Sequence, residues 1–144
     1  MLSGDHEHTL DEKNRLTLPS RFRPHFAEGL VLSRGMEGCL CIYTPEQFTQ
    51  KVESRLNELD PFSREGRAME RFYYSSAVEA VPDKQGRIMI PQSLLQKAGL
   101  TRDVLVIGVS SRLEVWNRAT WHQYMERIEE NIEDAAERLA AQHD

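Results

Sequence analysis

Cysteine is almost missing from this sequence: 144 residues contain two, Cys39 and Cys41, both in one apolar segment. So few cysteines exclude a disulfide-built scaffold. A strand through the segment would turn both side chains to the same face as reduced core residues. A metal site would need two further ligands, and His6, His8, His25, His122 and His143 show no spacing that converges on the pair. The expectation is therefore no metal and no cofactor. Long hydrophobic runs are lacking as well, and nothing approaches the roughly 18 apolar residues that span a bilayer, so no membrane insertion is expected. The first residues, Met1 to His8, offer neither a basic start nor an apolar stretch, so a secretory signal is not expected and the chain is assigned to the cytoplasm. Nucleophile elbows, phosphate-cradling glycine loops and metal-ligand clusters are also absent from the sequence; no catalytic residue is assigned and an enzyme is not expected.

An excess of positive charge is missing too. The chain has 18 Lys and Arg against 23 Asp and Glu, a net charge of −5, which on its own argues against a polyanionic partner. The distribution argues otherwise. Residues 13 to 23 hold Lys13, Arg15, Arg21 and Arg23 with no acid, while 126 to 144 hold Glu126, Glu129, Glu130, Glu133, Asp134, Glu137 and Asp144 against Arg127 and Arg138.

What the sequence does have is a repeat. At an offset of 72, Asp11-Glu12-Lys13-Asn14-Arg15-Leu16-Thr17-Leu18-Pro19 aligns with Asp83-Lys84-Gln85-Gly86-Arg87-Ile88-Met89-Ile90-Pro91. Asp, Arg, two aliphatics two apart and Pro recur in order, and Asn14 faces Gly86, the residue types that best tolerate positive φ. Each segment predicts a tight turn closing a hairpin, then a strand whose alternate aliphatics face a core. Asp11, Asn14, Asp83 and Gly86 are the structural residues of the two tips. After each proline the pattern predicts a short helical turn ending at Gly29 or Gly99, the first distorted by Pro24.

The repeat continues as a strand pair and a helix in each half. Leu30-Val31-Leu32 goes with Leu40 to Tyr43, and Val104 to Ile107 with Leu113 to Trp116. Tyr43 precedes Phe48 by five residues as Trp116 precedes Trp121, with Thr44 and Asn117 as helix caps and Thr44-Pro45-Glu46-Gln47 in capping-box form. Residues 60 to 75 predict a connecting helix carrying Met69, Phe72 and Tyr73 on one face. A helix from about Arg118 carries Trp121, Met125, Ile128, Ile132, Ala135 and Leu139 at spacings of 4, 3, 4, 3 and 4; such a seam is expected to pack on its own domain, with a polar end that frays. The organisation is a first unit at 5–47, connecting helices at 48–76, a second unit at 77–120 and an acidic amphipathic helix at 121–144.

Over about residues 1 to 125 the doubled Asp-x-x-x-Arg hairpin, each followed by aliphatic-x-aliphatic-Pro, with Trp116 and Trp121 in the tail, resembles the MraZ family of bacterial regulators, formed from two SpoVT/AbrB-type units in one chain. Asn14 stands where that family usually has Gly, and Asn enters the left-handed region at modest cost. The resemblance implies an α+β, mainly β fold: an AbrB-like swapped-hairpin β-barrel formed as an intramolecular pseudo-dimer with flanking helices. A lone unit of about 45 residues buries too little apolar surface to stand alone, which is a physical reason for two copies. The resemblance also implies a nucleoid-associated, sequence-specific transcriptional regulator, a repressor of its own division and cell-wall operon. Its partners would be double-stranded DNA at short promoter repeats and further copies of itself in a ring-like homo-oligomer.

Arginine on a protruding loop offers a planar fork that grips a phosphate or the O6 and N7 of guanine. Arg15 and Arg87 are the central candidates, each of which could also simply lock its hairpin by pairing with Asp11 or Asp83. Lys13 and Lys84 would add phosphate attraction, with Arg21 and Arg23 following on the first helical turn. The first copy is the more basic, so its tip is expected to dominate affinity. The alternative function is a protein-interaction, antitoxin-like module working through the acidic C-terminal helix.

Overall fold

A computed structural model describes residues 1–143; Asp144, the last acid of the C-terminal run, lies outside the described residues. The strands are β1 (Asp5–Thr9), β2 (Arg15–Thr17), β3 (Leu30–Arg34), β4 (Leu40–Tyr43), β5 (Val78–Ala80), β6 (Arg87–Met89), β7 (Asp103–Val109) and β8 (Arg112–Asn117). The helices are α1 (Arg23–Phe26), α2 (Pro45–Phe48), α3 (Ser54–Asn57), α4 (Arg64–Tyr74), α5 (Gln92–Lys97) and α6 (Arg118–Ala141). The protein is α+β: an antiparallel six-stranded sheet in the order β1-β7-β8-β4-β3-β5, a separate antiparallel ribbon β2-β6, and the helices. The sheet is open, with β1 and β5 at its edges, so the expected barrel closure is not seen in the hydrogen-bonded strands.

The three layers follow from strand alternation. Leu30, Leu32, Leu40, Ile42, Val104, Val106, Leu113 and Val115 point to one face, where they meet Leu16, Leu18, Ile88 and Ile90 of the ribbon segments and Phe22, Phe26, Leu94 and Leu95 of the turns after the prolines. Val31, Cys41, Tyr43, Leu105, Ile107 and Trp116 point to the other, under Phe48, Val52 and Leu56 and the aromatic residues Tyr73, Trp121 and Tyr124. Both faces are covered, which is why β3, β4 and β7 read as continuous apolar runs rather than as alternation.

The pairing departs from a simple hairpin. Each Asp-x-x-x-Arg turn forms, yet the strands on either side of it do not pair with one another. β1 of the first half pairs with β7 of the second, β5 of the second pairs with β3 of the first, and β2 pairs with β6. β4 and β8 join at the sheet's centre with Cys41 opposite Glu114. Among the described residues, only β3–β4 and β7–β8 are hairpins within a half.

The caps form where the sequence places them. Thr44 Oγ1 accepts from Gln47 N at 3.1 Å and Asn117 Oδ1 from Thr120 N at 3.1 Å. The reciprocal half of the capping box is missing, because Gln47 Oε1 is buried without a partner. The repeated aromatic pairs meet edge to face, Tyr43 with Phe48 at 5.8 Å and Trp116 with Trp121 at 5.1 Å between ring centroids. The first post-proline turn is split as Pro24 requires, a 3-10 turn at Ser20–Phe22 running into the four-residue α1. Between α2 and α3 the helix widens into a π turn at Thr49–Glu53, for which the sequence carries no evident signal.

Helix α6 runs continuously from Arg118 to Ala141. Trp121 and Tyr124 pack beside Trp116, but Ile132 and Leu139 are 53% and 59% exposed, so only the first part of the seam lies on its own domain.

Candidate nucleic-acid interface

Both Asp-x-x-x-Arg turns are closed by the same clasp. In the first, Asp11 Oδ1 accepts from Lys13 N at 2.9 Å and Arg15 N at 2.8 Å, and Oδ2 accepts from Arg15 Nε at 2.7 Å. In the second, Asp83 Oδ1 accepts from Gln85 N and Arg87 N, both at 2.9 Å, and Oδ2 from Arg87 Nε at 2.7 Å. The backbone repeats the pattern, Asp11 N to Arg15 O at 3.1 Å and Asp83 N to Arg87 O at 3.0 Å. Asn14 and Gly86 take φ of 59° and 78°, the left-handed step that brings the chain round. Hydrogen bonds from the arginine backbone N–H and guanidinium hold both carboxyls below their ordinary value. They are therefore fully charged at neutral pH.

Of each guanidinium the clasp uses only Nε. Among the described residues neither Arg15 nor Arg87 has a hydrogen-bond partner for its terminal amino groups, so the lock and an outward-facing donor fork coexist in one side chain. The aspartate removes the freedom of a long side chain that a ligand would otherwise have to freeze.

The ribbon sets the spacing of the two forks. Its register pairs Arg15 with Met89, Leu16 with Ile88 and Thr17 with Arg87. Leu16 and Ile88 point into the core at 0% and 2% exposure, which turns Arg15, Thr17, Arg87 and Met89 to the opposite, outer face. Arg15 and Arg87 are diagonal neighbours, a relation that puts Cα atoms about 7–8 Å apart. A two-stranded ribbon of this kind is narrow enough to enter a DNA major groove. Sequence reasoning missed Thr17 and Met89 as members of this face, since the ribbon arises from pairing between halves; the aligned repeats were the only signal for it.

The other basic candidates divide between the tips. Lys13 and Lys84 are both exposed, at different loop positions: Lys13 matches Gln85 of the second loop, and Lys84 matches Glu12 of the first. Arg21 is exposed with its guanidinium 5.2 Å from the Phe22 ring centre. Arg23 crosses over: its Nε donates to Leu18 O at 2.9 Å while its side chain lies against the second loop, where a Cβ on Gly86 would fall 2.6 Å from Arg23 Cδ. Conversely, Asn14 Nδ2 of the first loop reaches Gln92 Oε1 at the start of α5, at 3.4 Å. Each loop thus rests on the other half's post-proline turn. The positive charge that the sequence assigns to the first tip is shared with the second, and the reason is this exchange. His8, on β1, is held below its ordinary 6.5 by burial, by His6 and by Arg23, so it adds no charge here at neutral pH.

No helix among the described residues is long and apolar enough to cross a membrane. A protein-family model described as "MraZ protein, putative antitoxin-like" matches the chain twice, over residues 1–72 and 73–143.

Proposed function

Because the chain belongs to the MraZ family, we propose that it is a sequence-specific DNA-binding transcriptional regulator whose β2–β6 ribbon enters the major groove. On this reading Arg15 and Arg87 contact base edges or phosphates, while Lys13, Lys84, Arg21 and Arg23 supply phosphate attraction. The observation that carries it is the paired clasp: two preoriented guanidinium forks, without partners for their terminal amino groups among the described residues, side by side on the outer, half-exposed ribbon face. In the same reading the exchange of β1 and β5 between halves is the swapped-hairpin arrangement of an AbrB-like pseudo-dimer. The target is its own operon of division and cell-wall genes, which it represses at short direct repeats. The protein works in the cytoplasm at the nucleoid, and ring-like assembly of several copies multiplies weak contacts into avidity.

The test is binding to DNA from upstream of the protein's own gene at stated salt. Arg15→Ala and Arg87→Ala should each lower affinity by about 1–3 kcal/mol per engaged subunit, as expected for loss of a bidentate contact. Lys13→Ala and Lys84→Ala should instead weaken binding uniformly and flatten the salt slope. Two arginine variants that melt like the wild type and still bind operator normally would reduce the clasps to hairpin locks.

A second reading has one observation behind it. The family description includes an antitoxin-like character, and the distal part of α6 presents Ile132 and Leu139 uncovered between acidic residues. A protein partner would dock there, away from the ribbon.

A further inference from the structure

The buried cysteine pair has no part in the ribbon. Cys41 lies on β4 and Cys39 just before it, 3% and 2% exposed, and both sulfurs point to the helix-covered face. Directly across the strand pair that joins the halves stands Glu114 of β8. The two Sγ atoms and a Glu114 carboxylate oxygen all lie within 4.8 Å of one another. We propose that Cys39, Cys41 and Glu114 form a binding site for a thiophilic divalent cation of the zinc type, clipping the two halves together at the centre of the sheet.

Four features support the site. Two thiolates and a carboxylate are a donor set that suits zinc and disfavours the oxygen-seeking magnesium and calcium. The carboxylate is already oriented: Glu114 Oε2 accepts from Arg112 Nη2 at 2.8 Å and Nε at 3.1 Å, and Oε1 accepts from Trp116 Nε1 at 3.0 Å. Ligating carboxylates are characteristically held by such outer hydrogen bonds. The charges close, since two thiolates and a carboxylate around a dication leave one negative charge, which the Arg112 guanidinium offsets. Finally, Gly35 leaves space for the sulfurs. Its backbone is extended and needs no glycine, but a Cβ there would fall 2.5 Å from Cys41 Sγ and 2.6 Å from Cys39 Sγ.

Cys39 is pushed up by its hydrogen bond with Cys41 and by burial, so its thiol holds its proton until a metal competes for the sulfur. Metal entry, forming two metal–sulfur bonds, releases to solvent the protons the sulfurs carry, with no change of oxidation state. Three protein donors leave one tetrahedral position for water or for the Met36 carbonyl, whose oxygen lies 3.4 Å from Cys39 Sγ. Such a site loads and unloads rather than sealing its metal.

The test uses the full chain, reduced by a non-thiol reductant, titrated with cadmium ion as the spectroscopic probe and then with zinc ion. The expected result is a near-ultraviolet thiolate-to-cadmium band that saturates at one cadmium per chain and is lost when zinc displaces it. One equivalent of zinc should also raise the melting temperature. Glu114→Gln should keep the band at saturation while weakening cadmium binding by about tenfold or more, and Cys39→Ser with Cys41→Ser should abolish it. Failure of the wild-type chain to develop the band at several equivalents of cadmium would overturn the proposal. So would an unchanged band in the double serine variant, or spontaneous Cys39–Cys41 disulfide formation that survives the reductant. Neither readout involves DNA.

Discussion

Gly86 and Asn14 occupy equivalent turns at φ of 78° and 59°, yet only one of them can be anything but glycine. Arg23 lies across Gly86 and leaves no room for a Cβ, whereas the side chain of Asn14 faces Gln92 and has space. Gly86→Ala should cost about 1–2 kcal/mol for the left-handed backbone alone, and more from collision with Arg23. Adding Arg23→Ala should recover the steric part, while Asn14→Gly should stay within about 0.5 kcal/mol of wild type. Chemical unfolding of wild type, Gly86→Ala, Arg23→Ala and the double variant as a double-mutant cycle reads this out, and strict additivity would show that Arg23 is not what presses on Gly86. The clasping aspartates make a separate prediction with a definite sign. Asp11 and Asp83 have folded-state values below the ordinary 3.8, so their contribution is present above that value and fades as pH falls through the lower folded value. Melting of wild type against Asp11→Asn with Asp83→Asn should therefore show a constant gap from pH 5 to 8. The gap should shrink only in acid below about pH 4. A gap that changes between pH 5 and 8 would mean that some other group titrates at the turns.

Elements were legible in the sequence wherever local chemistry decides them. The Asp-x-x-x-Arg turns, the central hairpins, the caps at Thr44 and Asn117 and the start of α6 all follow from short-range pattern. What stayed hidden is pairing at long range. Nothing in Asp5 to Thr9 says that it lies beside β7, or that Arg23 belongs to the second loop rather than the first, because register between distant segments is set by the packed core rather than by neighbours in sequence. That Glu114 stands beside the cysteines is hidden for the same reason, since it comes from a strand of the other half. Helix α6 shows the limit of periodicity, since its seam is even along its length although only its first part is covered. Trp116→Ala, which removes the platform under that part, should cost about 3–5 kcal/mol. Ile132→Asp and Leu139→Asp should change stability by no more than about 0.5 kcal/mol each and leave operator binding intact. Calorimetry beside DNA binding separates the two uses of the helix. Large destabilisation by Ile132→Asp would mean that the distal seam is buried in the functional assembly.

At the scale of the molecule, the two halves are parts of one folding unit because their strands are exchanged. Of the six strand pairings among the described residues, four join one half to the other: β1–β7, β2–β6, β3–β5 and β4–β8. A half by itself keeps a single hairpin, β3–β4 or β7–β8, and a lone two-stranded hairpin is marginal in water. It would also expose the ribbon strand and the core face that Leu16, Leu18, Ile88 and Ile90 fill jointly. Arg118 adds a tie of the same kind, its Nη2 donating to His8 O at 3.2 Å from the start of α6 to β1. Residues 1–75 and 76–144 expressed separately should therefore be unfolded, aggregated or paired with a second copy of themselves, and mixing the two should restore one cooperative melt. Circular dichroism and light scattering on each fragment and on the mixture measure this. Two monomeric fragments that each melt cooperatively would show that the crossed pairings are not what holds the fold. The same pairings bear on the ribbon: Arg15 and Arg87 come from different halves, so their diagonal spacing exists only while both halves are folded together. Any cut or mutation that separates the halves should abolish operator binding before it touches either arginine.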